Sequence, residues 1–166
     1  MRTVKAAIEG YFRLLKAVVT VLLFFLVVPV TLQIVSRYTE LIPRYIWTEE
    51  AARFLFIWMI MIGSAIAVRE QTHFSVDVLP KPRTARGKAV GVLIVDLSML
   101  LMALVFVWYG WDFSWFGYTQ TSELIGINLI FIFAAFFLAG VTWLAFLGER
   151  MVENLVVVFG GSDGAK

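Results

Sequence analysis

Four runs of mostly apolar residues, roughly Leu14–Val35, Ala51–Val68, Ala89–Trp111 and Leu124–Leu147, each reach the ~20 residues a helix needs to cross a bilayer. Inside hydrocarbon every backbone N–H and C=O must be bonded within its own segment, so unbroken runs of this length fold as helices. The sequence therefore predicts an all-α integral membrane protein with four transmembrane helices over about 14–37, 49–69, 89–111 and 124–147. Residues 1–166 form a single membrane domain, with a flexible Gly-rich tail at 160–166. Too little chain remains between the spans for a separate soluble domain, so any bulky extramembrane function belongs to a partner.

Composition narrows the chemistry. Hydrophobic residues make up 61% of the chain and mean hydropathy is +0.87, above the soluble-domain norm. There is no cysteine, which excludes disulfides, thiol redox chemistry and thiolate metal sites. His73 is the single histidine, whereas a four-helix membrane cytochrome needs several axial histidines. No nucleophile or metal-ligand set falls within the bilayer, so no enzyme, cofactor or nucleic-acid partner is expected.

Residues 1–16 carry Arg2, Lys5, Arg13 and Lys16 against Glu9, with Val4, Ile8, Tyr11 and Phe12 at helical spacing; this reads as a short interfacial helix on anionic lipid. The apolar run that follows is too long for a signal peptide and lacks a small-residue cleavage site, so it is read as a retained first span. Pro29 is expected to kink it. Gln33, one turn before Arg37, is read as a packing amide or a partner contact. Tyr38, Tyr45 and Trp47 then settle at headgroup level around Pro43.

The second span opens at Thr48, a fair N-cap, with Glu49 and Glu50 in the first turn where the helix dipole favours anions. Glu49 and Arg53, four apart, are expected to pair, and Glu50 to reach Arg37 across helices. Gly63, Ser64 and Ala67 form a small-residue face for close helix approach. Arg69 and Glu70 mark the return to water, and residues 73–79 alternate apolar and polar, as a segment lying along the interface does.

Asp96 lies within the third span, ~10 Å from its start. An intramembrane ionisable group is a functional hypothesis by default. At that depth, however, Arg69, Arg86 or Lys88 reach it, and a structural ion pair is the first expectation, ahead of a contact with another subunit or an ion path. The aromatic run around Asp112 is a membrane-boundary anchor, without the polar convergence of a sugar pocket. In the last span Asn128 stands near the start, and Ala135, Ala139 and Gly140 are spaced for close packing; a short amphipathic segment follows.

Eleven Arg and Lys residues lie before the first span, between the second and third, and after the fourth; only Arg37, Arg44 and Arg53 lie on the other side. Positive-inside placement puts both termini in the cytoplasm.

These residues resemble those of the small membrane (Q) subunit of TRAP transporters, the tripartite ATP-independent periplasmic secondary transporters of bacteria and archaea. The likeness is carried by Arg37-Tyr38 ending the first span and by Trp47, Glu49, Glu50 and Arg53 opening the second. Trp58, Gly63, Arg69 and the run His73-Phe74-Ser75-Val76-Asp77 follow in order. Where members often carry Asn before the Arg-Tyr pair, this chain has Gln33.

The resemblance implies a cytoplasmic-membrane subunit with two partners. A large membrane subunit (M) holds the sodium and substrate sites and moves as an elevator, and an extracytoplasmic binding protein (P) captures substrate, mostly organic acids. The small subunit braces the static part, and Gln33, Arg37, Trp47, Glu49, Glu50, Arg53, Trp58, Gly63, Arg69, His73, Asp77 and Asp96 become candidates for structural or interface roles. The alternative is a stand-alone homo-oligomeric ion or multidrug exporter, for which only Asp96 offers the required central acid.

Overall fold

The structure, a computed structural model, describes residues 2–39, 43, 45–70 and 85–159. They form four helices, α1 (Arg2–Tyr38), α2 (Trp47–Glu70), α3 (Ala85–Tyr118) and α4 (Ile130–Phe159), and each contains a stretch long and apolar enough to cross a membrane. The fold is all-α, as the apolar runs predict.

Several helices outrun those runs, for identifiable reasons. The basic leader and the first span are one 37-residue helix rather than two elements. No Gly or Pro separates Arg13 from Lys16, and the apolar stripe of the leader continues in phase into the span, so Phe12 and Leu15 enter the core. Pro29 lies inside this helix, which runs on past it. Losing one backbone bond there costs less than opening the remaining groups to hydrocarbon. Likewise α4 continues beyond the last span through the expected separate amphipathic segment to Phe159.

The aromatic run after Trp108 is helical to Tyr118, past the end expected for the third span at 111. Its Gly110 and Gly117 are poor helix formers by propensity, but here tertiary packing decides. Conversely α4 begins at Ile130, later than the apolar run suggests. An isolated antiparallel bridge pairs Thr121 with Asn128, and Gly126, at φ 73°, supplies the left-handed residue that folds the chain back. Asn128 caps the new helix, its Oδ1 accepting the Ile130 N–H at 2.9 Å.

The helices alternate in direction. One end of the bundle, here the basal end, holds the start of α1, the end of α2, the start of α3 and the end of α4. The apical end holds the other termini. α1 packs on α2, α2 on α4, and α4 on α3.

The α3–α4 seam is the closest. A Cβ built on Gly110 would stand 2.9 Å from the Phe137 backbone nitrogen; one on Gly117 would stand 3.0 Å from that of Ile130, and one on Gly140 3.0 Å from that of Val107. Ala103, Ala135 and Ala139 are buried along the same seam. Small residues let two backbones meet where water gives no hydrophobic drive. Ala135, Ala139 and Gly140 thus take the places expected of them. Gly63 does not: a Cβ there would meet nothing within 4 Å, because the nearest approach of helices lies between α3 and α4.

The main buried cluster gathers Phe12 and Leu15 from α1, Ala65 and Val68 from α2, Met99 and Ala103 from α3, and Phe146 and Leu147 from α4. All four helices therefore converge at the basal end.

Candidate functional site

Polar side chains collect at both ends of the bundle. At the basal end Asp96 is fully buried, and its partner is Arg150 of α4. The guanidinium Nε donates to Asp96 Oδ2 at 3.0 Å, and Nη2 binds Oδ1. Nη1 donates to the Val68 carbonyl of α2 at 3.0 Å, and Met99 Sδ lies 3.7 Å from Nη2. One cation thereby ties three helices, and at 14% side-chain exposure it is largely withdrawn from solvent.

This corrects the expectation that Asp96 pairs with Arg69, Arg86 or Lys88. A signal for Arg150 existed in the hairpin register. Gly110 with Phe137, Gly117 with Ile130 and Val107 with Gly140 are all centred on the bond between Glu123 and Leu124, and Asp96 with Arg150 is centred on Glu123. Two antiparallel helices of equal rise joined by one turn bring equidistant residues together. A carboxylate held in this way is not open to a central cavity, so the exporter alternative loses its acid.

Arg69 is committed elsewhere. Its Nη2 donates to Glu9 at 2.9 Å and its Nη1 lies 3.7 Å from Glu149. The guanidinium carbon sits 4.8 Å from the Phe12 ring centroid and 5.2 Å from that of Phe146. At 21% exposure it joins α1, α2 and α4 rather than simply marking the return to water. Lys16 pairs with Glu70 beside it, and Tyr11 of α1 is hydrogen-bonded to Thr142 of α4 at 2.9 Å.

At the apical end Glu49 and Arg53 pair as expected, at 3.1 Å. Glu50 does not turn to Arg37. Its Oε2 accepts the Ile125 N–H at 3.0 Å, because the α3–α4 turn presents an open donor beside the first turn of α2. Thr48 is no side-chain N-cap either: its hydroxyl donates back to the Tyr45 carbonyl at 2.7 Å. Trp58 Nε1 donates to the Phe131 carbonyl at 2.7 Å, a direct tie between α2 and α4 at this end. Trp47 opens α2 with its ring 6.4 Å from that of Tyr45. A cavity of about 300 Å³ lies between Trp47, Glu50, Phe54, Ile125 and Asn128.

Of the remaining candidates, Arg37 is exposed in the last turn of α1. Gln33 Nε2 is buried with no acceptor among the described residues. Ser64, beside Gly63, donates to the Met61 carbonyl of its own helix. His73 and Asp77, with the interfacial segment around them, lie outside the described residues, as does the tail at 160–166. Among the described residues no three His, Asp or Glu side chains converge as metal ligands would.

Residues 26–157 match the family model of the tripartite ATP-independent periplasmic transporters, DctQ component. A protein named as a TRAP transporter small permease in Haemophilus influenzae is 28% identical over 114 residues, 69% of this chain and 71% of that one. The isethionate TRAP transporter permease protein DctMQ of Oleidesulfovibrio alaskensis is 30% identical over 82 residues, 48% of this chain but 13% of its own length. The sialic acid TRAP transporter permease protein SiaT of Haemophilus influenzae is 31% identical over 103 residues, 62% of this chain and 17% of its own length. In the latter two the matching stretch is a small part of a much longer protein.

Proposed function

We propose a role that starts from one premise, that the chain belongs to the DctQ component family of the tripartite ATP-independent periplasmic transporters. It is a TRAP small permease subunit, a transport component and not an enzyme. Its part in transport is to brace the static portion of a large membrane subunit through which substrate passes.

The observation that carries this reading is the basal tie. Arg150 holds α2, α3 and α4 through Asp96 and Val68, and Arg69 holds α1, α2 and α4. Such cross-linking suits an element that resists movement. All four helices are also continuous, whereas substrate-binding half-helices are broken.

The partner is a large permease subunit, a reading supported by the long relatives in which a matching stretch is part of one longer permease protein. Sodium coupling, with the ion bound on that partner, and an organic acid as substrate follow from the family resemblance. Both termini face the cytoplasm of a bacterial or archaeal cell. The apical cluster Glu49, Glu50 and Arg53 then faces the extracytoplasmic binding protein and helps it dock.

The test is purification of a tagged chain from its native host in mild detergent, followed by mass spectrometry of what remains bound in stoichiometric amount. A large multi-span partner is the expected result, and recovery of the chain only with itself would overturn the brace. Docking is tested separately with Glu49→Ala and Arg53→Ala together: uptake should fall while the large subunit stays bound, and unchanged uptake would remove the docking role.

A further inference from the structure

On α3 the small residues buried toward α4 are Ala103, Gly110, Ser114 and Gly117. Asp112 stands midway between Gly110 and Ser114, about 200° around the helix from each at ~100° per residue, and is exposed on the opposite face. The positions one turn away on that face are Trp108, Tyr109, Trp115 and Phe116, and all four rings are exposed, Trp108 to 74%. Asp112 has no hydrogen-bond or ion-pair partner among the described residues. Of the apical cations among the described residues, Arg53 is held by Glu49, and Arg37 ends α1, which packs chiefly on α2.

Depth matters as much as surroundings. Sixteen residues separate Asp112 from Asp96, ~24 Å along the helix, against a hydrocarbon thickness of ~30 Å. With the Asp96–Arg150 pair near one boundary, Asp112 lies near the other, at the level where Trp and Tyr settle. From Asp112 and Phe113 a groove of about 430 Å³ descends along the flank of the α3–α4 seam, past Tyr109, Phe106, Gly110 and Phe136 of α4, to Val105, ~10 Å toward the bilayer centre. Its walls are apolar apart from Asp112 and the Tyr109 hydroxyl.

We propose that this face of α3 binds a phospholipid whose headgroup carries a primary ammonium, of the phosphatidylethanolamine type. The ammonium donates to the Asp112 carboxylate and lies among electron-rich ring faces. The indole N–H groups of Trp108 and Trp115 and the Tyr109 hydroxyl, none of which is hydrogen-bonded within the described chain, donate to phosphate and ester oxygens. The upper part of one acyl chain follows the groove to Val105. A carboxylate at the top of an apolar groove that runs along the membrane normal matches a cationic head above a hydrocarbon tail. A transmembrane helix of a partner has no such obligatory order, and charge complementarity therefore selects the lipid.

The experiment is native mass spectrometry of the purified full-length subunit, delipidated and then given phosphatidylethanolamine, phosphatidylcholine or phosphatidylglycerol with matched acyl chains. Phosphatidylethanolamine should be retained about tenfold better than either of the others, and Asp112→Asn should abolish that preference, the loss of one charge-assisted hydrogen bond. Trp108→Leu with Trp115→Leu should lower retention of all three lipids. Elution and helical circular dichroism identical to the parent show that each variant folds. Equal retention of the three lipids by the parent protein, or unchanged preference in Asp112→Asn, would overturn the proposal. So would an Asp112→Asn variant that keeps its lipid but loses a co-purifying protein, which would assign Asp112 to a partner's basic side chain.

Discussion

At Arg150 a single guanidinium meets a carboxylate of α3 and a carbonyl of α2, and removing either end of that arrangement leaves the other buried and unsatisfied. Truncating one member of a buried ion pair costs about 3–5 kcal/mol, whereas replacing both members with apolar groups of similar volume is often near neutral. Arg150→Met should therefore destabilise the subunit strongly in a thermal melt in detergent, and Asp96→Leu with Arg150→Met should recover most of the loss. Destabilisation by the double variant as large as by Arg150→Met would mean that the Val68 bond, not the ion pair, dominates. Trp58→Phe keeps an aromatic ring but loses the bond to the Phe131 carbonyl and part of the indole's packing, for an expected cost of at least about 1 kcal/mol in the same assay.

Between helices the decisive contacts are backbone to backbone. Gly110→Val sets a branched side chain against the Phe137 backbone, where even a Cβ stands at 2.9 Å; backbone cannot give way as a rotamer can, and a cost of at least about 1–3 kcal/mol follows. Gly63→Ala meets open space and gains up to ~1 kcal/mol of helix propensity, so the melting temperature of the subunit should hold or rise. The same contrast explains what sequence reading reaches at this scale. The four helices were legible because length and hydropathy decide them, and the Glu49–Arg53 pair because it is local. Which small residues touch was not, since Gly63 and Gly110 look alike until helix order is known. Arg150 was hidden for the same reason: its partner is distant in sequence, and only the register of the α3–α4 hairpin brings the two together. The partner of Glu50 is not legible in the sequence because the competing donor, the Ile125 N–H, belongs to a turn whose shape depends on Gly126.

For the molecule as a whole, the uneven placement of cations predicts a direction in the membrane. The absence of native cysteine makes this simple to test with single introduced cysteines and a membrane-impermeant maleimide applied to intact cells. Gln120→Cys, in the apical turn, should label from outside, and Ala165→Cys only after the membrane is opened. The reverse pattern would invert the orientation and with it the docking role of Glu49 and Arg53. The basal end is cross-linked by Arg69 and Arg150, while Phe24, Phe25 and Val28 of α1 are turned outward. A cross-linked base with a long apolar flank is what the proposed brace against a larger subunit requires.

The distance in sequence between Asp96 and Arg150 also has a bearing on how the protein is made. Synthesis at ~5–20 residues per second puts roughly 3–10 s between the appearance of the acid and that of its counter-charge. During that interval α3 carries an uncompensated carboxylate that hydrocarbon disfavours. Stable release of α3 into lipid is therefore expected to wait for α4, the two helices partitioning as a hairpin. A chain halted before Arg150 should remain with the insertion machinery, exposed to the proteases that survey unfinished membrane proteins.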